Sequence, residues 1–175
     1  MISSLQELAD QFRKLIPQDA PLPEIPAVAG ASCAQGGAVS QVSTDPVQMV
    51  DYAIKGWHLD VRARPDQVVA AAALLDENGF AMDAVTGVDW IAEGEMEVVY
   101  DYFHPANSWR VVVRARVPRS KPEIPTISQV YPGANWHERE THEFFGIVFL
   151  GHPNLTPLLL PEDADYHPLR KDFKA

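Results

Sequence analysis

Pro132-Gly133-Ala134-Asn135-Trp136-His137-Glu138-Arg139-Glu140-Thr141-His142-Glu143-Phe144-Phe145-Gly146-Ile147-Val148-Phe149 reads as one short helix with signals at both ends. Pro132-Gly133 breaks whatever precedes it, and Asn135 can accept from free backbone N–H groups as an N-cap. Glu138, three residues on, stands where a capping-box carboxylate reaches back. Gly146 follows Phe145 where a left-handed residue ends a helix. Helical spacing sets Glu138 against His142, Arg139 against Glu143 and Trp136 near Glu140. A helix of about three turns thus carries a knot of charge among Trp136, Phe144 and Phe145, where an ordinary surface helix keeps the two kinds of residue apart.

Three chemistries compete for this stretch. A zinc hydrolase would need two His at i and i+4 with a Glu beside the first. His137 and His142 are five apart, so they point about 140° from each other around a helix. A stand-alone hydrolase built on His137, Glu138 and His142 is therefore a poor fit. A solvated helix would gain well under about 1 kcal/mol from each ion pair. The aromatic flanks favour the third chemistry: charges partly buried at a packing surface, kept for geometry and partner specificity.

The chain has 175 residues, 46% of them hydrophobic, enough for one domain with a real core. No window approaches the roughly 18 apolar residues of a membrane span. Glu7 and Asp10 come before any apolar run, unlike a signal peptide. Cys33 is the only cysteine, which excludes a disulfide, a cysteine-ligated iron–sulfur cluster or a structural zinc site within the chain. It also fits a reducing compartment. A net charge of −10 argues against nucleic-acid binding, which needs a basic footprint.

The rest of the chain divides around the central helix. Residues 2–16 place Leu5, Leu8, Phe12 and Leu15 at helical spacing, with Ser3 or Ser4 as cap. Such a helix either lies on its own domain or docks a partner. From Pro17 to about Pro46 the chain is a Pro-, Ala- and Gly-rich strap, and Gly36-Gly37 is too little for a phosphate loop. Trp57–Val61 alternates like a strand, and Arg64-Pro65-Asp66 opens a helix with Val68, Val69, Ala72 and Leu75 as its buried stripe. Asn78-Gly79 stops it. Strands follow at Phe80–Trp90, Met96–Phe103 and Trp109–Val117. The last puts Val111, Val113, Ala115 and Val117 on one face and Arg110, Arg114 and Arg116 on the other, either a solvated row or a surface for an acidic partner. Thr126–Tyr131 reads as a short helix. Beyond Phe149, turns, apolar residues and prolines make an interface-like tail, in which His152 and His167 are hydrogen-bonding turn residues. The expected fold is α+β: a mostly antiparallel sheet of about four strands with a covering helix, then a short helix and an extended C-terminal tail. The expected divisions are residues 1–50 for helix and strap, 51–149 for the α+β domain and 150–175 for the tail.

Ala134-Asn135-Trp136, Glu138-Arg139-Glu140, Phe145-Gly146-Ile147 and Phe149 resemble the thirty-kilodalton subunit of respiratory complex I, to use its mitochondrial naming. Gly151-His152-Pro153, Leu155 and Pro168-Leu169-Arg170-Lys171-Asp172-Phe173 extend the resemblance. Looser similarity runs back through Thr86-Gly87-Val88-Asp89 to about Trp57. The resemblance implies a non-catalytic subunit of the hydrophilic arm of a proton-translocating NADH:quinone oxidoreductase, at the cytoplasmic face of a membrane. It would pack against the large partner that shapes the quinone or hydrogenase site, among other hydrophilic-arm subunits. It would hold no cofactor, whereas the assembled complex would carry iron–sulfur clusters and either flavin or a NiFe centre. Interface roles fall to Trp136, Glu138, Arg139, Glu140, Glu143, Gly146, Gly151, His152 and Pro153. Arg170, Lys171 and Asp172 are expected to clamp the tail onto the partner. One departure bears on the electron donor. The common complex I form has Asp-Met before Phe-Gly-Ile, where this chain has Glu143-Phe144. With Pro157-Leu158-Leu159-Leu160-Pro161-Glu162-Asp163, that form is more similar to relatives in group 4 energy-converting NiFe hydrogenases and ion-pumping dehydrogenases of anaerobes.

Overall fold

The computed structural model of the chain describes residues 2–16 and 45–174. Its helices are α1 (Leu5–Leu15), α2 (Tyr52–Lys55), α3 (Val68–Glu77) and α4 (Ala134–Phe145). Its strands are β1 (Val47–Met49), β2 (Leu59–Ala63), β3 (Ala81–Trp90), β4 (Glu95–His104), β5 (Trp109–Pro118), β6 (Glu123–Pro125) and β7 (Val148–Leu150). Five strands form one sheet in the order β1-β2-β5-β4-β3, and β6 and β7 form a second. The main sheet is antiparallel except between β2 and β5, so the expected α+β class and mostly antiparallel sheet are found. The fifth strand, β1, is too short to show an alternation in sequence. It extends the sheet N-terminal of the expected start at Asp51, pairing Val47 with Val61. The strap expected from Pro17 onward lies outside the described residues up to position 44.

β4 and β5 are the backbone of the core. Tyr100 pairs with Val113 and Tyr102 with Val111, and all four side chains are buried on one face. Leu8 and Phe12 of α1, Ala72 and Leu75 of α3 and Ala134 of α4 join that same core. Ser4 caps α1 by accepting from the Glu7 N–H, and Arg13 donates to Asp45 and to the Val47 carbonyl. The N-terminal helix is thus laid on its own domain.

Several expectations change. The strand expected at Trp57 begins at Leu59, because its parallel register with β5 runs from Leu59↔Val111 to Ala63↔Ala115. Pro65–Gln67 is a single 3-10 turn, and α3 buries Ala71 while Val69 is left exposed. Residues 126–131 form turns instead of a helix, since their first donors are drawn to α4, as described below. The arginine row is partly exposed and is paired within the chain. Arg110 pairs with Asp83 and Asp101, Arg114 with Asp60, and Arg116 with Glu95 and Glu97. Arg114 also lies over the Trp57 ring at 5.1 Å and Arg116 over Trp90 at 4.8 Å. Cross-strand acids and two tryptophans absorb this charge within the chain.

α4 packs across β3 through a close approach that only glycine permits. A Cβ on Gly87 would stand 2.6 Å from the Phe145 ring. Gly87→Ala is therefore expected to cost about 1–3 kcal/mol by overpacking. Urea unfolding measures this, and Phe145→Leu in the same chain should recover most of the loss.

Candidate functional site

The polar residues of α4 face inward. Gly133 occupies the N-cap position without a side-chain bond, so Asn135 is not the cap and Glu138 closes no capping box. Ala134, Glu138 and Thr141 are buried, which places this helix face on the core. Glu138 accepts the Ile127 N–H at 2.8 Å and the Thr126 hydroxyl. Thr141 Oγ1 donates to the Val85 carbonyl of the edge strand at 3.1 Å. His142 does not meet Glu138; its Nδ1 bonds the Ile147 carbonyl at 2.8 Å.

His152 approaches Glu138 from after β7, with Nε2 3.8 Å from the carboxylate and both side chains fully enclosed. Its Nδ1 accepts the Asn154 N–H at 3.1 Å, so Nε2 carries the hydrogen and donates to the Asn135 carbonyl at 3.2 Å. Burial pushes the Glu138 carboxyl up to about 6, against the bonds from Thr126 and Ile127. Burial also pushes the His152 imidazole below its usual value.

Glu143 and Arg139 hold the tail at opposite polarities. The buried Glu143 carboxylate accepts the N–H groups of Leu158 at 2.7 Å, Leu159 at 3.0 Å and Leu160 at 3.1 Å. Arg139 donates to the carbonyls of Thr156 at 2.9 Å and Pro157 at 2.8 Å, and lies over the Trp136 ring at 5.3 Å. The expected Arg139–Glu143 pair is therefore not formed. Removing Arg139 frees two carbonyls and leaves Glu143 satisfied by backbone.

The tail also finishes the helix. An α-helix ends with carbonyls that have no intrahelical partner. Gly146, at φ 74°, ends α4 as expected, and its N–H takes the His142 carbonyl. His167 Nδ1 donates to the Glu143 carbonyl at 2.8 Å, the Leu169 N–H to that of Phe144 at 3.2 Å, and Arg170 Nε to that of Phe145 at 2.7 Å. A Cβ on Gly146 would collide with Arg170 and His167. Beyond this, Asp89 on β3 accepts hydrogen bonds from Arg119 Nε at 2.8 Å and Nη2 at 3.1 Å, and from the Lys171 N–H at 2.8 Å. Arg119 reaches on to Asp172 at 2.6 Å. Arg170 by its side chain, Lys171 by its N–H and Asp172 by its carboxylate thus bind the chain's own domain. Burial works against the Asp89 charge, yet Arg119 and the Lys171 N–H hold its carboxyl below the usual range.

What remains outward is apolar and acidic. Trp136 is 59% exposed and Leu159 66%, and Glu140, Gly151 and Pro153 are exposed. Among the described residues no group of His, Cys, Asp and Glu could hold a metal ion, and no helix is long and apolar enough to cross a membrane. Sequence spacing missed Thr126, Arg119 and the role of Asp89, since their partners lie 12 to 82 positions away.

Residues 61–175 match the model of the family described as respiratory-chain NADH dehydrogenase, 30 Kd subunit. The chain belongs to that family. It is 41% identical over 119 residues to the C subunit of the NADH-quinone oxidoreductase of Roseiflexus castenholzii, covering 65% of this chain and 68% of the relative. It is 46% identical over 95 residues to the C subunit of the F(420)H(2) dehydrogenase of Methanosarcina mazei, covering 52% of this chain and 58% of the relative. Among solved structures it resembles a chain of the membrane-bound sulfane sulfur reductase, an archaeal respiratory membrane complex, with TM-score 0.67 and 25% identity over 97% of this chain and 85% of the other. The trypsin-resistant fragment 1–134 of Nqo5 matches with TM-score 0.51 and 28% identity, covering 59% of this chain and 92% of the fragment. In this member of the 30 Kd family the buried acids of the central helix are internal fasteners.

Glu143→Ala strands three N–H groups and should cost this 30 Kd family member about 2–3 kcal/mol, with protease cleavage appearing first between residues 156 and 165. Asp89 has a depressed folded value, so its contribution is complete above the unfolded carboxyl value of about 3.9. It is lost as pH falls through the folded value. Pepsin cleavage beside Leu169 or Phe173 should therefore rise with acidification before the core unfolds, and Asp89→Asn should open Arg170 to trypsin at neutral pH.

Proposed function

We propose that this chain is a non-catalytic subunit of the peripheral arm of a complex I-like, ion-translocating oxidoreductase, seated at the cytoplasmic face of its membrane. The family match over residues 61–175 carries this proposal. The docking surface is the outer side of α4 with the adjoining tail: Trp136, the Arg139 that stacks on it, Glu140 and Leu159. A large aromatic residue beside an arginine is the composition of an interface anchor, and the backbone beneath is already tied down by Glu143. The partner is the large subunit that shapes the quinone site. The chain supplies no cofactor; iron–sulfur clusters and flavin belong to its neighbours.

A second machine has specific support. The relatives include a subunit named for F(420)H(2) and a chain of a complex named for sulfane sulfur, so an electron donor other than NADH, or a NiFe hydrogenase-type large subunit, fits the same architecture. Purification of the tagged chain from its own membranes in mild detergent distinguishes these. Flavoprotein and antiporter-like subunits without nickel are expected for the dehydrogenase, and nickel in the large subunit for the hydrogenase. Trp136→Ala with Glu140→Arg should lower recovery of the large subunit at least tenfold while leaving the isolated chain's thermal midpoint unchanged. A monomer without partners in the wild type would overturn the proposal.

A further inference from the structure

Glu138 differs from the other buried acids described. Asp89 faces Arg119, Glu97 faces Arg116 and the Trp90 indole N–H, and Glu143 holds three backbone N–H groups. Glu138 is 0% exposed and has one N–H and one hydroxyl, with no lysine or arginine donor among the described residues. Tyr100 and Tyr102 of β4 come at it from the sheet as uncharged, fully buried phenols, and the Tyr100 hydroxyl has no hydrogen-bond partner among the described residues. On its own helix Arg139 and His142 turn away, to the carbonyls of Thr156, Pro157 and Ile147. From the segment after β7, His152 stands neutral beside it, with both ring nitrogens already used. An isolated carboxylate in such a place is costly, and the usual remedy is a proton.

A route for that proton is present. Thr126 Oγ1 gives its one hydrogen to Glu138 Oε2, lies 2.8 Å from Ser128 Oγ, whose hydroxyl therefore donates to it, and accepts the Ser128 N–H at 3.1 Å. Thr126 and Ser128 each keep 8% of their surface exposed, while Glu138 keeps none. Each hydroxyl can both accept and donate, so the three oxygens form a hydrogen-bonded line from Ser128 to Glu138. We propose that Glu138 is a proton-binding site, loaded from solvent along the hydroxyls of Ser128 and Thr126, with His152 remaining neutral beside it. A proton arriving from a solvent hydronium at Ser128 Oγ releases the Ser128 hydrogen to Thr126 Oγ1. Thr126 passes its own hydrogen to Glu138 Oε2. One O–H bond forms on the carboxyl, both hydroxyls are restored, and the buried charge changes from −1 to zero. The reverse sequence unloads it.

Occupancy bears on the fold through the segment that His152 anchors. The folded Glu138 value of about 6 lies above the unfolded value of about 4.3. Its stabilising contribution is therefore complete below about 4.3 and is lost as pH rises through about 6. His152, shifted downward, acts in the opposite sense and loses its contribution as pH falls. The loaded site is thus a neutral acid against an imidazole whose Nδ1 accepts the Asn154 N–H.

Carbon-13 NMR of the full chain, labelled at the glutamate carboxyls and titrated from about pH 3 to 8, tests this directly. One glutamate should titrate near pH 6, and Glu138→Gln should remove that signal. Thr126→Val removes a donor that favours the ionised form, so it should move the midpoint upward and slow proton exchange at least tenfold; Thr126→Ser should restore both. If Glu138→Gln fails to fold, the Val and Ser pair still assigns the signal. Titration of Glu138 at or below the ordinary glutamate range overturns the site. So does a transition near pH 6 that nitrogen-15 signals assign to His152. Unchanged midpoint and exchange in Thr126→Val overturn the hydroxyl route.

Discussion

A helix with its acidic face turned inward must find hydrogen-bond donors for those carboxylates, and α4 finds them in the backbone of segments without regular structure. Glu138 draws in the Ile127 N–H, and Glu143 gathers those of Leu158, Leu159 and Leu160. Charge-assisted bonds of this kind are about twice as strong as neutral ones, and the low-dielectric setting makes them expensive to leave unmade. At the other end the three orphan carbonyls of α4 are completed by His167, Leu169 and Arg170. The same twelve-residue helix therefore fixes the turn before it and the tail after it.

This arrangement suits a subunit whose work is to be a surface. A tail without helix or strand would be costly to order at the moment of assembly. Here the ordering is done within the chain, by Asp89 and Arg119 at one end of the tail and by Glu143 and Arg139 nearer its start. Trp136 and Leu159 are left to face outward on a framework already set. On the arginine-bearing face of the sheet, Arg110, Arg114 and Arg116 each have an acidic partner across a strand.

Local pattern announced what local physics decides. The alternation in β4 and β5, the capped α1 and the left-handed Gly146 were all legible, because period, cap and positive φ act within a few residues. The central helix was legible too, but its side-chain pairing was not. Spacing put Arg139 beside Glu143, whereas the tail, returning 15 to 18 positions later, offers each a better partner. Thr126–Tyr131 read as a short helix, yet Glu138 takes the Ile127 N–H and the Thr126 hydroxyl. The arginine row read as bare because its acids lie on neighbouring strands, at 9 to 54 positions' distance. Non-local donors and acceptors, invisible to a periodic reading, set every one of these outcomes.

Native-state hydrogen exchange of the Leu158, Leu159 and Leu160 amides in the isolated full chain tests the central claim, that α4 builds the tail before any partner arrives. Exchange slowed at least a hundredfold against an unstructured peptide, and similar to that of the α4 amides, is the predicted result. Exchange at unstructured rates in those three amides, with α4 itself protected, would contradict it.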